Sequence, residues 1–164
     1  MRTAELLTVI KECHREKLAL RQRHVAVARH VGDYDFNNTY QYIIAREDVH
    51  LQWLEAAIAE LGDTPDDERE PDIPAPGKKE SFLPLVESDA RLADAFVSRW
   101  QSRLETVTHA RHRSLIRVIL GETLEHKRFF EQMLAGREDL LGRRANGPGP
   151  SGTGDGVLPV RWIE

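Results

Sequence analysis

The chain of 164 residues has a single cysteine, Cys13, which excludes internal disulfides, Cys-rich zinc sites and a rubredoxin-like iron centre. It has no strong charge of either sign. Twenty-three Lys+Arg against 27 Asp+Glu leave a net charge of -4, so there is no electrostatic footprint for nucleic acid or anionic lipid. Long apolar runs are missing too: stretches such as Val25 to Ala28 end at four residues, far short of the roughly 18 to 20 that a membrane span needs. Leu6 to Ile10 is too short for a signal peptide and is followed at once by Lys11 and Glu12. The expectation is a cytoplasmic protein with no nucleic-acid or membrane partner.

Proline and glycine are scarce within two long segments and concentrated outside them. Five of the eight prolines lie between Gly62 and Pro84 among seven acidic residues, and six of the eleven glycines lie between Gly142 and Gly156. The first stretch is a connection and the second a linker. Residues 3 to 61 and 84 to 141 are rich in Ala, Leu, Glu, Arg and Gln with apolar residues at threes and fours, which predicts helices. Gly32-Asp33 splits the first segment, with Asp35 or Asn37 available as N-cap; a turn near 106 to 112 is expected in the second, against the alternative of one continuous helix. The predicted helices cover about 4 to 31, 36 to 61, 84 to 108 and 112 to 135. A helix of about 25 residues is roughly 38 Å long, and 23 extended residues reach up to about 75 Å. The 62–84 connection can therefore run the length of a bundle, joining two antiparallel hairpins. The fold class is all-α: a four-helix bundle over residues 1–141, followed by a Gly/Pro-rich tail over 142–164 with an apolar end.

The second helix carries the clearest pattern. Phe36, Tyr40, Ile43, Glu47, His50, Leu54, Ala57 and Leu61 recur at steps of four and three, a seam facing the interior. Glu47 and His50 sit at its middle, and a carboxylate taken out of water costs several kcal/mol unless paired or bound to a metal. Glu-x-x-His also points both side chains at one ion. In the fourth helix Leu115, Ile119, Glu122, His126, Phe129 and Met133 form the expected seam, with Glu125 beside it. On the first helix Leu6, Val9, Cys13, Glu16, Leu20 and Val27 share a face; Glu16 is the best-placed acid, with His14 and Glu12 close behind, and His24 is expected as a hydrogen-bonded or partly exposed seam residue. On the third, Asp89 is the only acid on the row Val86, Asp89, Ala93, Phe96, Trp100 and Val107, with Glu87 as substitute and stabilisation of the helix start as the alternative role. Tyr40, Tyr42, Trp53 and Trp100 are expected as packing residues.

The segment Ile44-Ala45-Arg46-Glu47-Asp48-Val49-His50-Leu51-Gln52-Trp53-Leu54, continuing to Leu61-Gly62, resembles the second helix of rubrerythrin and bacterioferritin-like proteins. Ile119-Leu120-Gly121-Glu122-Thr123-Leu124-Glu125-His126 is similar to the fourth helix of that ferritin-like superfamily. The resemblance spans about residues 4 to 135 and implies a ferritin-like di-iron bundle. It implies two iron ions, or manganese, with Glu47 and Glu122 bridging and His50 as terminal ligand; the family spacing falls on His14 and Asp89 in the other two helices. The expected metal set is Glu16, Glu47, His50, Asp89, Glu122, Glu125 and His126, serving iron handling or an oxidoreductase of ferroxidase or peroxidase type, with an outside reductant. The alternatives are a metal-free bundle acting as an interaction or structural protein, in which Arg46, Arg99 or Arg103 pairs with the buried acids, and a di-iron hydroxylase. A homo-oligomer, most simply a dimer, is expected. The apolar end Val157 to Ile163 is read as packing on the bundle or a dimer mate, with capture by a separate protein partner as the other outcome.

Overall fold

A computed structural model describes residues 1–67, 70–77 and 80–142. Four helices make up the described fold: α1 (Thr3–Ala28), α2 (Tyr34–Glu60), α3 (Leu83–Leu104) and α4 (Ala110–Leu134). The second long segment does turn, between Leu104 and Ala110. The apolar segment 157 to 163 lies outside the described residues. None of the helices is long and apolar enough to cross a membrane.

Local chemistry sets the ends of these elements. Asp33 is the N-cap of α2, two positions ahead of Asp35, the nearer of the expected candidates, because its side chain accepts from the Phe36 amide at 3.0 Å. Asn37 does a different job: its Nδ2 donates to the carbonyls of Ala28 and Val31, satisfying acceptors at the end of α1. Gly62 and Gly136 follow α2 and α4 with φ of 86° and 75°, the left-handed backbone that stops a helix and that glycine adopts without strain.

Helices α1 and α2 pack as one hairpin and α3 and α4 as the other, and the hairpins meet along α1 with α3 and α2 with α4. Arg111 at the start of α4 pairs with Glu60 at the end of α2, while Tyr40 near the start of α2 meets Asp89 near the start of α3. The connection over 61–82 must therefore run the length of the bundle, and α2 and α3 are parallel. Apolar side chains form two separate clusters. One, toward the start of α1, includes Ile10, Cys13, Leu54, Ile58, Trp100, Ile116 and Ile119; the other, at the opposite end, includes Val27, Phe36, Tyr40, Ile43, Val86, Phe130 and Met133. Between them lies a polar layer.

Two substitutions test this division of labour between caps and core. Asp33→Ala should cost about 1 kcal/mol through the lost cap, whereas Leu54→Ala, at a side chain with no exposed surface, should cost about 3 kcal/mol. Urea unfolding would measure both.

Candidate functional site

The polar layer is built from Lys17 of α1, Glu47 and His50 of α2, and Thr123 and His126 of α4, all buried. Lys17 lies at its centre. Its Nζ donates to Glu47 Oε1 at 3.0 Å and to Thr123 Oγ1 at 3.0 Å, and both the lysine and the glutamate side chains are completely inaccessible to solvent. Thr123 passes its own proton to the carbonyl of Ile119 at 2.8 Å. The second oxygen of Glu47 accepts from His24 Nδ1 at 2.8 Å. Helix α3 adds no polar group to the ammonium; it contributes Phe96, whose ring centroid lies 5.5 Å from Nζ.

A second carboxylate sits at the edge of the layer. Glu122, about a quarter exposed, takes Arg46 in a bidentate pair at 2.7 and 3.0 Å and accepts from His50 Nε2 at 2.7 Å. A carboxylate only accepts, so the proton of His50 resides on Nε2 and Nδ1 is a bare lone pair. That Nδ1 and the Nδ1 of His126 are buried without a partner among the described residues. The two imidazoles stack with centroids 6.0 Å apart and planes 21° apart.

Electrostatics sorts the histidines into two classes. Burial and the charge of Lys17 push His50 down to about 4, and burial with the same ammonium pushes His126 well below its usual value; both rings are neutral at pH 7. For His24, burial opposes the imidazolium, but the charge and hydrogen bond of Glu47 outweigh it and raise the ring above its usual value. Burial likewise opposes ionisation of Glu47, and His24 and Lys17 overcome it, holding the carboxyl far below the ordinary range.

The seven expected ligands do not converge. Glu47, His50 and His126 face the layer and Glu122 borders it. The group of α1 that reaches Glu47 is Lys17, not Glu16: Glu16 accepts from the Trp100 indole at 2.9 Å and pairs with Arg99 at 3.0 Å. Asp89 is fully buried but sits in the neighbouring apolar cluster, accepting from Tyr40 Oη at 2.6 Å and Arg23 Nε at 2.6 Å. Glu125 is exposed, as is Glu87. His14 is buried and contacts Glu55 at 3.4 Å, and Glu12 pairs with Arg103. Helix α4 is turned by about one residue from the expected seam: Ile116, Ile119, Thr123, His126, Phe130 and Met133 are its buried row. Thr123, three residues before His126, therefore faces the layer, and Glu122, expected on the seam four residues before His126, stands at its edge. Iron or manganese needs several oxygen donors around one point. Among the described residues no three of the His, Cys, Asp and Glu side chains are grouped to hold a metal ion, and an ammonium takes up the oxygen of Glu47 that faces α4. This donor set does not fit a di-iron centre.

Opposite shifts predict a maximum of stability with pH. Because His50 and His126 resist protonation in the fold, their contribution is complete above pH 6.5 and is lost as pH falls from 6.5 toward 4, by about 3 kcal/mol for His50 alone. The contribution of His24 is complete below pH 6.5 and is lost as pH rises through its raised folded value. Urea midpoints followed across pH should show both limbs, with His50→Gln flattening the acid limb and His24→Gln the alkaline one.

No family model matches the chain, and no curated protein matches it in sequence. Its backbone is similar to a crystal structure of the Desulfovibrio desulfuricans bacterioferritin, a protein with a diiron site, at a TM-score of 0.70 over 82% of this chain and 80% of that one, with 19% identity. The four helices, their pairing and this likeness together identify the fold as the ferritin-like four-helix bundle.

Proposed function

We propose that this chain is a ferritin-like bundle whose central cation is its own Lys17, and that it serves as an interaction or structural protein through its surface, not as a metal-dependent oxidoreductase. The observation that carries this reading is the Lys17 ammonium, fully buried 3.0 Å from Glu47. In that position it does for the carboxylate what a metal would do, neutralising it and filling a direction of approach. It also repels a second cation: two unit charges 4 Å apart at an effective dielectric of 20 cost about 4 kcal/mol, and a divalent ion about twice that. In this reading Glu47, His50, Glu122 and His126 are members of an ion-paired and hydrogen-bonded network, while Glu16, Asp89 and Glu125 serve elsewhere.

A second reading draws on the bare Nδ1 of His50 and the unpartnered Nδ1 of His126: one divalent ion held by the two imidazoles and Glu47, once Lys17 has moved aside. One titration separates the two readings. At a free concentration 100 times its Kd, a ligand of the folded state adds about 2.7 kcal/mol, roughly 5 to 10 °C of Tm for a chain of this size. We expect anaerobic Fe(II) or Mn(II) to leave Tm unchanged, and protein grown in metal-replete medium to carry far less than one ion per chain. A rise of 5 °C or more would overturn the first reading in favour of the second.

A further inference from the structure

On the face where α2 meets α4, small side chains leave a groove. Trp53, Ala56, Ala57, Leu115 and Val118 line it, with a volume of about 390 Å³. Trp53 is 37% exposed and Val118 48% exposed, so two large apolar groups meet water at one place. At the lower end the rim is closed by Arg111, bidentate to Glu60 at 2.9 and 3.0 Å. Trp53 also packs against His50, with centroids 5.8 Å apart and the ring planes tilted by 39°, so whatever covers the groove also covers one flank of the polar layer.

We propose that the groove is the seat of residues 157–163 of the same chain. Three properties of the sequence support that occupant. First, Val157, Leu158, Val160, Trp162 and Ile163 are apolar, five of seven residues, with an indole of a size the groove accommodates. Second, the 14 residues from 143 to 156 contain Gly, Pro, Ser, Asn and charged residues and no large apolar side chain, so they are a tether with nothing of their own to bury. Third, the lengths agree. The chain leaves α4 at Leu134, Leu140 still packs against the apolar cluster at that end of the bundle, and Val118 lies 16 residues back along α4 from Leu134, about 24 Å. A Gly-rich tether of 14 residues has a root-mean-square span of roughly 20 Å and a limit near 46 Å. A tether whose mean length matches its span gives the highest effective concentration, in the millimolar range, so even a weak contact is mostly formed within one chain.

The experiment uses the full chain with paired cysteines under mild oxidation at low micromolar concentration. Val118→Cys with Val160→Cys should close an intramolecular disulfide at least 10-fold faster than Leu92→Cys with Val160→Cys, because Leu92 is an exposed apolar position on α3, away from the groove. Cys13 does not compete, being fully buried. Adding Trp162→Ala should reduce the faster rate to that of the control. Equal rates, or disulfide-linked dimers in place of intramolecular closure, would overturn the proposal, the second outcome assigning the groove to another copy of the chain. A variant that keeps every tryptophan provides an independent reading. Val160→Asp should at least double quenching of tryptophan emission by acrylamide, whereas unchanged quenching would contradict a docked segment.

Discussion

The contact between the Lys17 ammonium and the Glu47 carboxylate is the one around which this bundle is arranged. Each charge costs several kcal/mol to bring out of water. At 3.0 Å and an effective dielectric of 20 their attraction returns about 5 to 6 kcal/mol, which offsets roughly one of the two ions. The rest has to come from other bonds. His24 supplies a hydrogen bond and a second positive charge to Glu47, and Thr123 accepts a second proton of Lys17. The residues are mutually dependent: removing any one leaves a buried charge partly unmatched. In the function proposed here, the cation that Glu47 and its neighbouring imidazoles call for is the Lys17 ammonium of α1.

The layer also explains how the four helices are held in one arrangement. Helix pairs α1 with α4 and α2 with α3 face each other across diagonals of the bundle, without backbone proximity of their own. Lys17 to Thr123 spans one diagonal and Tyr40 to Asp89 the other. Two apolar clusters flank the layer, and apolar contact alone discriminates weakly among axial offsets. A slip of one turn would leave Lys17 and Glu47 buried against leucine or isoleucine, so the polar contacts select a register that the oily clusters tolerate but do not enforce.

Much of this was legible in the sequence, and the exceptions have physical causes. On α2 the expected seam is buried from Phe36 to Ala57 with only Leu61 half exposed, and the α3 row from Val86 to Val107 is buried throughout. Those helices have apolar residues dense enough to leave one choice of face. Helix α1 offers two. After Cys13 a step of three leads to Glu16 and a step of four to Lys17; both continue to Leu20, and lysine is the residue least expected inside. The continuation Ile10, Cys13, Lys17, Leu20, His24, Val27, Val31 keeps steps of three and four without a break, and every member is buried. That unbroken row was the available signal for Lys17. On α4, Leu115 and Ile116, and Phe129 and Phe130, are adjacent apolar pairs, so the stripe can be drawn one residue to either side. The true choice places Thr123 inside and leaves Glu122 at the margin, where Arg46 meets it. The Glu-x-x-His spacing of α2 named Glu47 and His50, two of the five buried polar residues of the layer; the ammonium that meets Glu47 lies on another helix, and pairwise contact across helices is not written in any single helix's periodicity.

The central claim is that Lys17 and Glu47 stabilise the fold as a pair. A double-mutant cycle with Lys17→Met and Glu47→Gln, followed by urea unfolding at pH 7, tests it most directly. Each single change should cost about 3 to 5 kcal/mol by stranding the other charge, and the double variant should cost much less than the sum, giving a coupling of about 3 kcal/mol. Costs that simply add would contradict the account, since two residues that do not depend on each other cannot be the ion pair on which the bundle is built.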